Sequence, residues 1–355
     1  MCQFISHIAV SDRMILHVRV ALHVLIVRNS TGVDSMGAGS ICSSRRIPKA
    51  DIETPLLVPS FSSAVLGKAA GKIHEKLKEH IPMASLVSAY DLNYRIIKKE
   101  EIWVSDVVFI DSGNHEVTQL SRSKDLKQWT LQMYRGVINS IRPLAKVVLV
   151  NYDQRGSLKR QISKTRKFFA RCPDYAKCFL YKPLSRSFKI HVPSLVENIA
   201  LIEPFDILGL TEKELGNSLL TRCQNLLRIR AALNSKRMNV PIHVFGCLDP
   251  LSILSYFLCG ADIFDGTLWL KFSFHGNIAT YINNYAMLER KWSESDSSVL
   301  VSTYVLNLSK LTHLMSEMRR YAREGDLNVF RLDKTALREL KDLTNTALLS
   351  LSKSR

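Results

Sequence analysis

From residue 51 to about 290 the chain alternates short apolar runs with longer amphipathic stretches. The apolar runs, four to six residues each, stand at Leu56–Pro59, Ala84–Ala89, Val107–Ile110, Lys146–Val150, Cys178–Tyr181, Asp206–Leu210, Ile242–Gly246 and Ala261–Phe264. Runs that short and that continuously apolar read as strands covered on both faces. Helix-like segments lie between most of them, at 62–80, 91–99, 125–141, 156–170, 194–203, 214–235 and 250–259, and another is expected at 276–290. Two capping boxes, Ser194-x-x-Glu197 and Thr211-x-x-Glu214, sign helix starts. Asp249-Pro250 signs a third, since Asp accepts free N–H groups and Pro fits the first turn, and Gly260 closes that helix. Eight strands alternating with eight helices predict a (β/α)8 TIM barrel. A doubly wound open sheet alternates in the same way, but no G-x-G-x-x-G or G-x-x-x-x-G-K-[ST] follows any strand.

The flanks break this rhythm. Met14 to Val27 is apolar but short of the ~20 residues of a membrane span, and Arg19, His17 and His23 interrupt it. No membrane association is expected. The same interruptions, with no clear small-residue cleavage site after them, speak against a signal peptide. Ser30 to Ser44 is rich in Ser and Gly and reads as linker. After residue 290, Leu308, Leu311, Met315 and Met318 form one helical stripe, and Leu337, Leu340, Ala347 and Leu351 another. The expected organisation is a poorly structured extension over 1–50 that the fold can do without, a barrel over 51–290, and a helical region over 291–355.

Composition adds a partner. The 355 residues are 46% hydrophobic and 23% charged, as in ordinary globular proteins, yet the net charge is +17. Such an excess favours a polyanion, nucleic acid ahead of an anionic membrane surface. It concentrates between Tyr152 and Ile190, where eleven Lys and Arg face two acids. Arg155, Lys159, Arg160, Lys164, Arg166 and Lys167 in that stretch are candidates to hold a phosphate backbone. The seven cysteines are scattered with no C-x-x-C pair, so neither a disulfide scaffold nor a metal site is expected, and a cytoplasmic location is.

In a (β/α)8 barrel the chemistry sits at the C-terminal strand ends. Those positions hold Asp91, Asp111, Asp153, Lys182, Gly209, Thr211 and Asp265. A strand-end acid can simply cap the following helix, and that reading is preferred for Asp91 and Asp249. Asp111, with Ser112 and Gly113 beside it to admit a ligand, and Asp265, with Gly266, are read as functional. Two carboxylates across a barrel mouth suit glycosyl transfer: one attacks the anomeric carbon and the other moves protons.

These motifs resemble the tRNA-guanine transglycosylase superfamily. Gly260-Ala-Asp-Ile-Phe-Asp-Gly266 resembles its nucleophile segment, and Asp111-Ser-Gly its D-S-G-G loop. Val148 to Asp153 resembles the strand of its base-recognising aspartate, and Asp206-Ile-Leu-Gly-Leu210 its G-G-L stretch. Val244-Phe-Gly with Asp249-Pro250 resembles the segment before its last helix. The resemblance runs from about Thr54 to Trp269. It implies exchange of guanine in a nucleic acid for a 7-deazaguanine, with no cofactor. Asp265 would be the nucleophile, Asp111 the general acid/base, and Asp153 the reader of the base edge. Ser112, Gly209, Leu210 and Gly246 would line the base site, with His115 and Phe245 stacking on the base. The target nucleotide would have to be unstacked to be reached.

The family's zinc site is absent, since no cysteine follows Asp265; Thr267-Leu-Trp-Leu-Lys271 replaces its T-R-x-A-R run, Lys182 stands in its glutamine motif, and Asn114 replaces the second glycine. The pattern is more similar to the branch that inserts 7-deazaguanines into DNA, which implies DNA rather than tRNA and partner proteins of a DNA-modification system. A tRNA enzyme of the same family and a non-catalytic nucleic-acid-binding barrel are the alternatives. A glycoside hydrolase is the weakest, as few aromatics (Trp269, Tyr90, Tyr152 and Tyr181) lie near the rim.

Overall fold

A strand that is apolar on both faces is stable only between two covered faces, and each run finds its cover by pairing with the next. The computed structural model describes residues 41–121, 127–184, 187–290 and 292–353. In it the eight runs form β1 (Leu56–Phe61), β2 (Ala84–Ser88), β3 (Val107–Asp111), β4 (Lys146–Val150), β5 (Ala176–Tyr181), β6 (Ile207–Thr211), β7 (Ile242–Phe245) and β8 (Ile263–Gly266). All are parallel and adjacent in chain order, and β8 returns to β1, closing a (β/α)8 barrel. The register sets Ser88 beside Asp111 and Asp265 beside Val58. Phe109 of β3 meets the ring of His243 of β7 at 5.5 Å. Those strands are not neighbours in the sheet, so the contact crosses the barrel, whose interior is packed core.

The helices that matter below are α1 (Ala70–Leu77), α2 (Leu131–Ser140), α3 (Leu158–Phe169), α4 (Leu219–Ser235), α5 (Pro250–Leu258), α6 (Asp296–Glu324) and α7 (Lys334–Lys353). α3 shows why such a basic sequence still forms a barrel helix. Leu158, Ile162, Thr165, Phe168 and Phe169 make its buried face, and the cations fall between them on the solvent side. Asp249 caps α5 as expected, accepting from the Ser252 N–H at 2.8 Å.

Several expectations are corrected. Residues 276–290 do not form the eighth helix. Phe272–His275 and Ile278–Tyr281 pair as an antiparallel hairpin, followed by the short helix Asn284–Leu288. The hairpin turns at Gly276-Asn277, both at positive φ (53° and 68°), a turn whose twist suits hairpins. The long α6 packs instead on β1, on the turn Leu268–Leu270 after β8, and on α5. Its buried Asn307 ties it there, accepting from Phe274 N–H at 2.8 Å and donating to Trp269 O at 2.8 Å and Phe272 O at 2.7 Å. The C-terminal helices are thus part of the barrel's wall: Leu308, Leu311, Met315 and Met318 are buried as the stripe predicts, and α7 lies on α4 and α5.

Neither capping box forms. His191 caps the helix Val192–Glu197, its Nδ1 accepting from Ser194 N–H, and the Thr211 side chain caps nothing because it accepts from Lys182. The start of the chain to residue 40, including Met14–Val27, lies outside the described residues. Residues 41–50, placed by composition with the dispensable extension, belong to the barrel. Ile47 and Ala50 are buried, and the buried Arg45 pairs with Asp262 just before β8.

Candidate active site at the barrel rim

Side chains two apart on a strand share a face, so Ser60, Asp111, His243, Phe245 and Asp265 are set by alternation at the upper interior of the barrel. Asp265 is 6% exposed. One oxygen accepts from the Ser60 hydroxyl at 2.9 Å; the other lies 3.0 Å from His243 Nε2 and 3.4 Å from the Gly246 N–H. Gly246 is at φ +80°, a conformation that favours glycine, and this turn aims its N–H at the carboxylate. The Ser60 hydroxyl, the His243 ring and the Gly246 N–H thus converge on one carboxyl group. They fix its orientation while no lysine or arginine pairs with it among the described residues.

Asp111 is half-buried at the end of β3. Burial, with the Asp153 and Glu116 carboxylates adding to it, pushes its carboxyl up to about 8, against the Ser112 and Gly113 N–H groups. Two acids of one rim therefore sit in different surroundings: Asp265 is held by a hydroxyl, an imidazole and a backbone N–H, while burial beside other carboxylates pushes Asp111 up to about 8. That is the division needed for nucleophile and general acid.

Asp153 accepts from Ser112 Oγ at 3.1 Å and lies 3.7 Å from Lys182 Nζ, which also reaches Glu214 at 2.8 Å and Thr211 Oγ1 at 3.1 Å. Burial raises the Asp153 carboxyl, and Lys182 offsets part of that. Gly209 and Leu210 lie in β6 between β5 and β7. A Cβ at Gly209 would sit 2.8 Å from the Phe245 ring and 3.2 Å from Cys178 Sγ, so this glycine gives room to Phe245. Phe245 in turn stacks on His243, with centroids 3.8 Å apart. His115 is exposed on the helix Asn114–Leu120, an environment unlike that of the buried Phe245.

Gly113 corrects one expectation. A Cβ there would lie 2.8 Å from Tyr90 Cβ and 3.0 Å from Trp129 Nε1. The space beside it holds those two side chains, and the Ser112 carbonyl accepts from Trp129 at 2.8 Å. At φ +85°, Gly113 serves the packing of the loop. Asp91 caps nothing in its own helix, where Ser88 holds that place. It accepts from the Ser63 N–H at 2.8 Å and the Ser63 hydroxyl, and burial with the Glu116 charge pushes its carboxyl up to about 7.

Sequence reasoning passed over Glu116, His243 and Ser60, and read Glu214 only as a capping acid, where it pairs with Lys182. Glu116 is buried and accepts from Ser62 at 2.5 Å and Ser88 at 2.7 Å. Its position three residues into the helix after Asp111-Ser-Gly was the available signal. For His243 the signal was an imidazole in the middle of a wholly apolar strand.

Of the candidate backbone cations, Arg155 is exposed in the loop after β4 and donates to Ser187 O at 3.3 Å. Lys159, Arg160, Arg166 and Lys167 are exposed on α3. The loop 151–157 joins them directly to Asp153. No described helix is long and apolar enough to cross a membrane. No protein-family model matches the chain, and no curated protein matches it significantly.

Proposed function

We propose that this protein is a base-exchange transglycosylase that replaces guanine in a nucleic acid, DNA in preference to tRNA, with a 7-deazaguanine. The observation that carries the reading is the pair Asp265 and Asp111: two strand-end carboxylates, one held by Ser60, His243 and Gly246, the other pushed up to about 8. Asp265 attacks C1′ of the target nucleotide, forming an ester bond as the N-glycosidic bond breaks, and Asp111 gives its proton to the departing guanine. Asp111 then takes a proton from the incoming base, whose nitrogen bonds to C1′ and releases Asp265. Protons and bonds balance with no cofactor and no cut in the backbone. Asp153 accepts from the Watson–Crick edge of the base, and Lys182, beside it, offsets part of the effect of its burial. The DNA preference rests on the resemblance of the segments around Asp249 and Asp265 to the DNA-modifying branch, where partner proteins of such a system would act. The cytoplasm is the proposed compartment, on the scattered cysteines.

The hydrolase reading loses support at the rim. Trp269, Tyr90 and Tyr181 are buried in the core, so of the four aromatics only Tyr152 has a face for a sugar. The test is incorporation of labelled guanine into DNA or tRNA, with adducts trapped under denaturing conditions. Label enters DNA, and Asp265→Asn abolishes both label and adduct. Full activity in Asp265→Asn would sink the mechanism, and label entering tRNA alone would sink the substrate choice.

A further inference from the structure

Beside the rim, between α2 and α3, lies a cleft of about 200 Å³ that the base-exchange chemistry does not use. Arg135 of α2 and Lys164 and Lys167 of α3 line it, with Asn151, Tyr152 and Gln154 of the loop after β4. None of the three cations is ion-paired or hydrogen-bonded among the described residues, and Arg135 Nε is buried with no partner. Gln154 Oε1 is buried and unpartnered as well, and turning that amide over presents its NH₂ instead. Three cations around one cleft repel each other, and an unpaired buried N–H donor carries a desolvation cost. A single anion with several acceptor oxygens relieves both at once.

We infer that this cleft binds a phosphate group, and that the group is a backbone phosphate of the nucleic-acid strand whose target nucleotide enters the rim. The cleft's volume of about 200 Å³ suits a phosphate. It falls below the ~300–1,000 Å³ of pockets that enclose a drug-sized ligand. It is well above the ~10–15 Å³ that holds a single water, which leaves room for a phosphate and a few waters. Position favours a strand over a free ion. Asn151, Tyr152 and Gln154 flank Asp153, so a phosphate here lies next to the proposed base site, and the exposed Lys159 and Arg160 continue the basic track along α3. The source of the phosphate rests on the proposed function; the anion site does not.

The test uses Arg135→Gln, Lys164→Gln and Lys167→Gln together, in the full chain. A control removes three exposed charges elsewhere, Lys68→Gln, Lys72→Gln and Lys76→Gln. Binding of a single-stranded DNA 20-mer is followed by anisotropy across a salt series, and inorganic phosphate competes at constant ionic strength. The cleft variant should lose at least about tenfold in affinity, and its salt slope should fall by about 0.7 for the one phosphate lost. Phosphate should compete with DNA on the wild type and much less on the variant. Lys164→Arg with Lys167→Arg should keep wild-type binding, showing that charge and not the fold was changed.

An equal loss in the control triple would overturn the site, leaving only general charge. Phosphate binding that needs the three residues while DNA binding ignores them would assign the cleft to a free phosphate and overturn the strand assignment. Failure of the functional reading looks different: there, no DNA or tRNA takes up label whether or not the cleft binds phosphate.

Discussion

Asp262 and Asp265 stand at the two ends of β8, and their surroundings are opposite. Asp262, at the lower end, is buried against two guanidinium groups, Arg45 and Arg230, and accepts from the Ile242 N–H at 2.7 Å. Asp265, at the rim, has a hydroxyl, an imidazole and a glycine N–H, and no arginine or lysine among the described residues. Two cations so hold Asp262 that its charge serves only to join strand, helix and N-terminal segment. Asp265 is oriented by these contacts with no cationic side chain of lysine or arginine on it among the described residues, and the proposed function uses its oxygens for attack. The same residue type on one strand thus does structural work at one end and, under the proposed function, chemistry at the other, as barrels divide stability from catalysis.

The contrast can be broken most sharply by swapping each acid for its amide. Asp265→Asn should lower base exchange by about 10⁴-fold or more, the scale of removing a nucleophile, while its thermal midpoint stays at or above wild type. A large loss of stability would mean that Asp265 is structural after all. Asp111→Asn should cost about 10²–10⁴-fold in rate, the range of a general acid. In the wild type the rate should fall above a pH of about 8, where Asp111 loses its proton. A rate that holds steady to pH 10 would remove Asp111 from the proton transfer. Asp262→Asn should do the reverse of Asp265→Asn. It leaves Arg45 and Arg230 buried without an acid and should cost about 3–5 kcal/mol in urea unfolding.

The last test reads stability against pH. The carboxyls of Asp111 and Asp91 titrate higher in the folded chain, at about 8 and about 7, than in the unfolded one. The folded state therefore binds more protons between about pH 4 and 8, and this contribution to stability is lost as pH rises through that window. Comparing urea midpoints at pH 5 and pH 8.5, the drop should be smaller in Asp111→Asn than in wild type. Equal drops would place the titration elsewhere.

A strand apolar at every position has one stable place in a water-soluble chain, between two covered faces, and so all eight strands were legible in the sequence. Asp111, Asp153 and Asp265 followed, because an acid one to three residues beyond such a run lies at a barrel end. The partners that define their chemistry did not. Ser60 and Asp265 are 205 residues apart, and Arg45 and Asp262 are 217. No local pattern could assign a hydroxyl in β1 or a guanidinium in the linker-like segment to β8. The hairpin at 272–281 was missed for a different reason. Its Gly-Asn turn was written in the chain, but the rhythm of the barrel called for a helix there. The sequence alone determined the barrel and the carboxylates at its rim. The closure of the barrel, which brings β8 against β1 and β7, decided that Asp262 lies between two guanidinium groups and Asp265 among a hydroxyl, an imidazole and a glycine N–H.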